Sequence, residues 1–350
     1  MWILHQIYSK MSKLSLTHAG ILAILLVIVS SVTMRILEPE TFPRLIDALW
    51  WTMTTLVTVG YGDFFPVTDA GRIFTMLLIY TFGIGAMGII IGKIFESLSK
   101  YRKLKEEGKM SYTGKGHYIL ISPSKEKLEK VMGEIYTSER SRDIVVVDHA
   151  DKLPLEDDRL HFVSGNPAEE EVLMKANILE AKSVAIFSDD RNDHAEYSDG
   201  KTLLTASRVE HLSKKYDRNI YTIVEVKKDN HIALFEHAKV DEFILSNDSV
   251  SRLIAQAAIN HGSSRLFKQM LSNTDGENIY EISAKPEWKT YKDAAMELFD
   301  KGATLLSDGS SLDVARRHKE NIPEGSKLFI ICDDETYRKI VRYTRKAYSL

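Results

Sequence analysis

Two stretches of this chain carry no Lys, Arg, Asp or Glu for long enough to cross a lipid bilayer, and they limit its fold more than any other feature. Leu14 to Met34 is 21 residues without such a charge, and Ile73 to Gly92 is 20. About 20 apolar residues, at 1.5 Å of rise each, span a hydrocarbon core of about 30 Å. The first window is longer than the apolar part of a cleavable signal, and no small-residue cleavage site clearly follows it. It is expected to stay as a membrane helix. Between the two lies a third window, Ala48 to Gly62, of 15 residues. It is too short to span and is rich in Thr, Gly and Trp, so it is expected to enter the membrane and turn back. Non-helical backbone is stable at that depth only where it is buried in protein or lines an aqueous path. A pore follows from the window lengths before any motif is considered.

Orientation follows from the cations. Lys10 and Lys13 precede the first window, while Lys93, Lys100, Arg102, Lys103, Lys105 and Lys109 follow the second. Cations gather on the cytoplasmic side, so the chain is expected to be a multi-pass protein of the cell membrane with both termini cytoplasmic. No Arg-repeat helix of the voltage-sensing kind is present. The net charge of -3 averages two halves that live in different solvents. The single cysteine, Cys332, excludes an intrachain disulfide and sits in an apolar run as a small buried hydrophobe.

Inside the short window lies Thr58-Val59-Gly60-Tyr61-Gly62-Asp63. A pore that passes bare K⁺ must replace its hydration shell with closely spaced oxygens, and backbone carbonyls of an extended loop can do this. For successive carbonyls to point to one side, alternate residues must take angles that L-residues avoid, which suits Gly60 and Gly62. Thr58 adds a hydroxyl oxygen, and the Tyr61 ring is expected to brace against Trp50 or Trp51. The helix before the loop, roughly 45–57, points its negative end at the ion path. These six residues resemble the potassium-channel signature and match its consensus throughout. The resemblance implies K⁺ in the filter and a homotetramer in the lipid bilayer, since one loop supplies one side of the cage.

The second spanning helix carries Gly83, Gly85, Gly88 and Gly92. Two readings of Gly83 and Gly85 stand: a bend that opens the cytoplasmic mouth, and close packing through small residues. Resemblance to two-helix channels supports the gating hinge.

After a charged linker the pattern changes to short apolar strands alternating with amphipathic helices. Strands are expected near 118–121, 143–147, 161–163, 183–187, 221–226 and 242–245, with helices near 126–135, 169–176, 202–212 and 230–238. Such alternation calls for a parallel sheet covered on both faces, with ligands at the carboxyl ends of its strands. A smaller lobe follows, with strands near 279–282 and 328–332 around a helix at 291–300. Behind a potassium pore this half resembles the RCK domain, the regulator of K⁺ conductance in many prokaryotic channels, and most closely that of the archaeal calcium-gated type. The expected fold is thus an all-α membrane pore, with two transmembrane helices, a re-entrant pore helix and a filter, then an α/β Rossmann-like RCK domain with a small α+β C-terminal lobe. The expected boundaries are 1–98 for the pore, 99–116 for the linker, 117–262 for the Rossmann-like lobe and 263–350 for the C-terminal lobe with its helical crossover. The family implies a cytoplasmic ring. A ring of eight needs a soluble second copy per subunit, which an internal start at Met110 can supply. The helical stripe Val250, Leu253, Ile254, Ala257 and Ala258 is expected to pack into its own core or, as the resemblance favours, to pair with another subunit.

Two ligand classes are open for this half. A dinucleotide site normally has Gly-x-Gly-x-x-Gly after the first strand. Here Ser122-Pro123-Ser124 stands instead, leaving Ser122 and Ser124 as phosphate donors, Asp148 for ribose hydroxyls and Asn166 in the Gly165-Asn166-Pro167 turn. An adenine nucleotide or NAD is the ligand these imply. The stretch from Ser188 to Asp199 gathers acidic and His side chains, among them Asp193 and His194, and Glu225 on a later strand adds a carboxylate for Ca²⁺ or another divalent cation. By resemblance, Asp199 and Glu225 match two calcium-binding positions of the archaeal type, while the third position carries Lys227. No nucleic-acid partner and no enzymatic activity are expected. The competing functions are a membrane-anchored nucleotide-dependent oxidoreductase, which lacks a glycine-rich turn and a recognisable nucleophile constellation, and a potassium-uptake regulatory subunit, which needs no filter of its own.

Overall fold

The structure is a computed structural model that describes residues 16–153, 155, 157–190, 194–272, 277–309 and 311–347. The chain divides into two compact units between Lys105 and Glu106.

The first unit is helical. Helix α1 is Leu16–Leu37, α2 is Leu45–Leu56, and α3 runs from Asp69 to Glu106 with a π-helical stretch at Thr75–Gly83. Among the described residues, α1 and α3 are the two helices long and apolar enough to cross a membrane. Much of α1, including Ile21, Leu22, Ile24, Leu25 and Ile28, is more than half exposed, a surface suited to hydrocarbon rather than water. A small core of Met34, Phe42, Ala48, Trp51, Leu56 and Ile79 joins the helices. The Ser31 hydroxyl donates to Thr52 at 3.2 Å and ties α1 to α2. α2 starts where Asp47 accepts from the Arg44 N–H at 3.2 Å, satisfying a donor that a helix start leaves without a partner.

The end of this unit where α1 stops and α3 starts is held by one carboxylate. Glu38, 3 % exposed, accepts from the N–H groups of Val67 and Thr68 at 3.0 Å each and from the Thr68 hydroxyl at 2.6 Å. Thr68 is in turn the N-cap of α3 and accepts from the Gly71 N–H at 3.1 Å. Gly71 is required here, because a Cβ would lie 2.0 Å from Glu38 Oε1.

The second unit is built on a six-stranded parallel sheet in the order β3-β2-β1-β4-β5-β6. Its strands are β1 Tyr118–Ile121, β2 Ile144–Asp148, β3 Leu160–Ser164, β4 Ser183–Ile186, β5 Thr222–Val226 and β6 Glu242–Leu245. Strand side chains alternate between faces, so this one run of Val, Ile and Leu fills two cores. Ile119, Ile121, Val145, Val147 and Val163 pack with α5 (Glu170–Lys175), α6 (Ala195–Tyr216) and the 3₁₀ segment Asp229–Ala238. Leu120, Ile144, Val146, Leu160 and Phe162 pack on the other face with Leu128 and Met132 of α4 (Lys125–Ser138). Strand order reverses between β1 and β4, which opens a crevice at their carboxyl ends.

Helices α7 (Ser246–Ile259) and α8 (Ser263–Leu271) follow, and neither has a buried residue. A three-stranded antiparallel sheet, β7 Asn278–Ser283, β8 Thr304–Ser307 and β9 Lys327–Cys332, then packs with α9 (Tyr291–Asp300) and α10 (Asp334–Ala347) around Ile282, Trp288, Leu298, Leu328, Ile330 and Cys332.

Several expectations change. The helix expected at 202–212 starts at Ala195, so the second half of the acidic stretch is helix rather than loop. The helix expected at 230–238 is 3₁₀. Helices α8 and α10 and strand β8 were not anticipated. β8 has only four residues, whereas α8 and α10 are short amphipathic helices whose apolar positions recur at the helical period and so offered a signal.

Candidate functional site

The loop after α2 owes its shape to an alternation in backbone hand. Thr58, Gly60 and Gly62 have φ of 60°, 55° and 75°, while Val59 and Tyr61 between them do not share it. Flipping every second residue lets carbonyls that would otherwise alternate face one direction. Thr58 pays for its place: a β-branched residue in the left-handed region costs about 1–2 kcal/mol. The sequence marked the glycines but not Thr58. The Val59 and Gly60 N–H groups both donate to the Thr54 carbonyl, at 2.9 and 3.1 Å, so the end of α2 anchors the loop. Tyr61 lies parallel to Trp50, ring centroids 5.7 Å apart and planes 2° apart. The Trp50 indole N–H donates to Asp63 Oδ2 at 2.8 Å. Trp50 is therefore the brace, while Trp51 is buried against Phe42 at 5.4 Å. Val59 and Tyr61 remain 51 % and 67 % exposed in the single chain.

Behind the loop, the π stretch of α3 ends at Gly83. The Thr81 hydroxyl donates to the Met76 carbonyl five residues back, the spacing of a π turn. Gly83 is buried against the pore helix, where a Cβ would meet Leu56 Cδ2 at 2.1 Å. A Cβ on Gly85 would meet nothing.

In the second unit, the candidate ligand residues sit along the carboxyl edge of the parallel sheet. Ser122 follows β1 with φ of 53°, and Ser124 is the N-cap of α4, accepting from the Lys127 N–H at 3.4 Å. Asp148 ends β2 and accepts from the His149 N–H at 2.8 Å. Asn166 accepts from the Ala168 N–H at 3.1 Å and so shapes its own turn. The carboxylates farther along are engaged. Asp199, 2 % exposed, accepts from the Lys227 and Lys228 N–H groups at 2.9 and 3.2 Å and lies 2.7 Å from His231 Nδ1. Glu225 accepts from Lys127 Nζ through both oxygens, at 2.9 and 2.8 Å, and from the Ser188 N–H at 3.1 Å. His194 is the backbone N-cap of α6, and Asp193 lies outside the described residues. Sequence reasoning missed Lys127. A lysine in the first turn of a helix opposes the helix dipole, and that misplacement was the available signal.

Comparison with known proteins bears on both units. Residues 22–100 match the family model described as ion channel, and residues 114–246 match the TrkA-N domain. The chain thus carries an ion-channel region followed by a TrkA-N domain. Over 82 % of its length it is 28 % identical to the putative potassium channel protein YugO of Bacillus subtilis, covering 86 % of that protein. It is also 28 % identical to the calcium-gated potassium channel TvoK of Thermoplasma volcanium, over 84 % of each chain. A solved structure described as the GsuK channel bound to NAD aligns with 91 % of the chain at 17 % identity and a TM-score of 0.46, and the chain spans 57 % of its length. The two curated relatives are named as channels, and channels of this family are membrane proteins.

Of the calcium set that the sequence suggested, Asp199 and Glu225 already have partners within the chain, and Asp193 lies outside the described residues. Ca²⁺ takes six to eight oxygens. Both oxygens of Glu225 already face an ammonium, the Asp199 oxygens already accept two N–H groups and contact His231, and Lys227 Nζ donates to the Asp189 carbonyl at 2.8 Å. Among the described residues no three His, Cys, Asp or Glu side chains come together as a metal-binding group.

Proposed function

We propose that the chain is one subunit of a potassium-selective channel that four copies build around a shared axis and that its cytoplasmic half gates in response to a ligand. The left-handed backbone at Thr58, Gly60 and Gly62 within Thr-Val-Gly-Tyr-Gly carries this reading. Such a loop presents a row of carbonyl oxygens that replaces the water around K⁺, and four copies close the cage. Both termini and the whole α/β half are cytoplasmic, a reading supported by the cations in the last turns of α3. The half from about residue 117 is the sensor, with its ligand at the carboxyl edge of the sheet, where Ser122, Ser124, Asp148 and Asn166 offer groups for a nucleotide.

Gly83 and Gly85 form the gating hinge. Gly83 lets α3 approach Leu56, and the π stretch ahead of it has weaker hydrogen bonding than an α-helix, so bending is concentrated at this junction. The exposed stripe on α7, with Val250 at 57 % and Ile254 at 65 %, pairs sensors of neighbouring subunits. Soluble copies begun at Met110 complete a larger ring, and an immunoblot with only the full-length band would exclude them.

The test of the main reading is flux. The purified chain in liposomes should carry K⁺ and reject Na⁺, and equal flux of both ions, or none under any ligand, would refute it.

A further inference from the structure

The corner of the sheet that holds Glu225 also holds three ammonium groups. Lys127 Nζ, from α4, bridges Glu225 on β5 and Asp190 after β4, at 2.8 and 2.9 Å. Lys201 on α6 lies 3.2 Å from Asp189 Oδ2, and Lys227 reaches the Asp189 carbonyl. Three carboxylates, Asp189, Asp190 and Glu225, thus share one corner with three ammoniums, Lys127, Lys201 and Lys227, and their formal charges cancel without any bound ion. Glu225 is 11 % exposed at its side chain, so a divalent ion could engage it only by displacing Lys127. The position of Lys127 is informative in itself. It is the third residue of α4, beside helix N–H groups that repel a cation, and its two carboxylates are what hold it there. Burial alone would lower the Lys127 pKa, but the hydrogen bonds it donates to Glu225 and Asp190 outweigh it and raise the value, so the group stays charged.

We propose that Lys127 is a tethered cation that neutralises Glu225 and Asp190 from within the chain and closes this edge of the sheet to divalent ions. The consequence for gating rests on the reading of this half as the sensor: the regulatory ligand is not a divalent ion held by Glu225. The same crosslink joins α4 to β5 across the β1/β4 crevice, the role a bridging ion would otherwise fill.

The test is equilibrium dialysis of the purified full chain in detergent against radioactive Ca²⁺, for the natural protein and for Lys127→Gln, Glu225→Gln and the double variant. The natural protein and Glu225→Gln should bind Ca²⁺ alike. Lys127→Gln should bind at least about tenfold more tightly, the scale on which neighbouring groups tune a metal site, and the double variant should lose that gain. Ca²⁺ binding by the natural protein that Glu225→Gln removes, or no gain in Lys127→Gln, would overturn the proposal. Should Lys127→Gln fail to fold, the comparison of natural protein with Glu225→Gln decides alone. Potassium flux measured in parallel reports on the channel and not on this site, so the two readings fail separately.

Discussion

Replacing Glu38 by Ala removes the carboxylate that joins the end of α1 to the start of α3. The side chain accepts three hydrogen bonds, from Val67 N–H, Thr68 N–H and the Thr68 hydroxyl, at a site only 3 % exposed. Hydrogen bonds to a charged group contribute about 1.5–3 kcal/mol each, and the three are coupled through Thr68, so their simple sum overstates the loss. Water can reach part of the space that Ala leaves. The expected cost is about 2–4 kcal/mol, the scale of one to two hydrogen bonds to a charged group. Glu38→Gln keeps the shape and one acceptor oxygen, and should cost about half as much. The assay is denaturant unfolding of the purified chain in detergent, followed by Trp fluorescence. The charge also sets a pH signature. Burial pushes the Glu38 carboxyl up, but the Thr68 hydroxyl and the Val67 and Thr68 N–H groups outweigh it and hold the group below the usual carboxylate range. A folded-state value below the unfolded one gives stability that is full above about pH 4.5 and is lost as pH falls through the folded value. The gap between natural protein and Glu38→Ala should therefore narrow in acid. A cost below about 1 kcal/mol near neutral pH, against the scale expected for such bonds, or a gap that does not change with pH, would refute the argument.

Thr58→Gly should relieve about 1 kcal/mol of backbone strain while removing a hydroxyl oxygen from the ion path. Its reversal potentials should show K⁺ selectivity reduced with the fold intact, and unchanged selectivity would take the hydroxyl out of the cage. His117 is fully buried with Nε2 donating to the Ala176 carbonyl at 2.9 Å, and its Nδ1 has no partner among the described residues. Burial lowers its pKa, against the partial recovery from the Ala176 carbonyl and Asp143, so its neutral form stabilises the fold above about pH 6.5 and that stability drains away as pH falls below it. Thermal unfolding of His117→Gln should lose this part of the pH slope, and an unchanged slope would assign it elsewhere. Ile254→Asp on α7 should leave the monomer's stability within about 0.5 kcal/mol, as surface changes do, yet reduce the assembly seen by light scattering. An undiminished assembly would mean that this stripe faces solvent.

The pore was legible because its constraints are local. Charge-free length gives α1 and α3, and the pairing of Gly60 with Gly62 needs no partner in sequence to be read. The parallel sheet was legible for a similar reason: Ile119 to Ile121 and Ile144 to Val147 are continuous apolar runs, as strands buried on both faces must be. What escaped was set by distance. Lys127 and Glu225 are 98 residues apart, Glu38 and Thr68 are 30, and nothing in one segment announces its partner in the other. The acidic stretch shows its carboxylates in sequence, but not the Lys127 and Lys201 ammoniums that the fold delivers to Asp190, Glu225 and Asp189. Thr58 escaped because a left-handed threonine goes against its own intrinsic preference.

The widened turns of α3 bear on what that helix shows at its C-terminal end. A π turn accommodates one residue more than an α turn, and one residue corresponds to a rotation of about 100° around the axis. Tightening such a turn at Thr75–Gly83 into ordinary α hydrogen bonding would swivel every residue from Gly85 to Lys105 by that amount, without breaking the rod or moving its upper end. The face that this helix presents can then be exchanged like the faces of a turned key, by a change of register that accompanies the bend at Gly83.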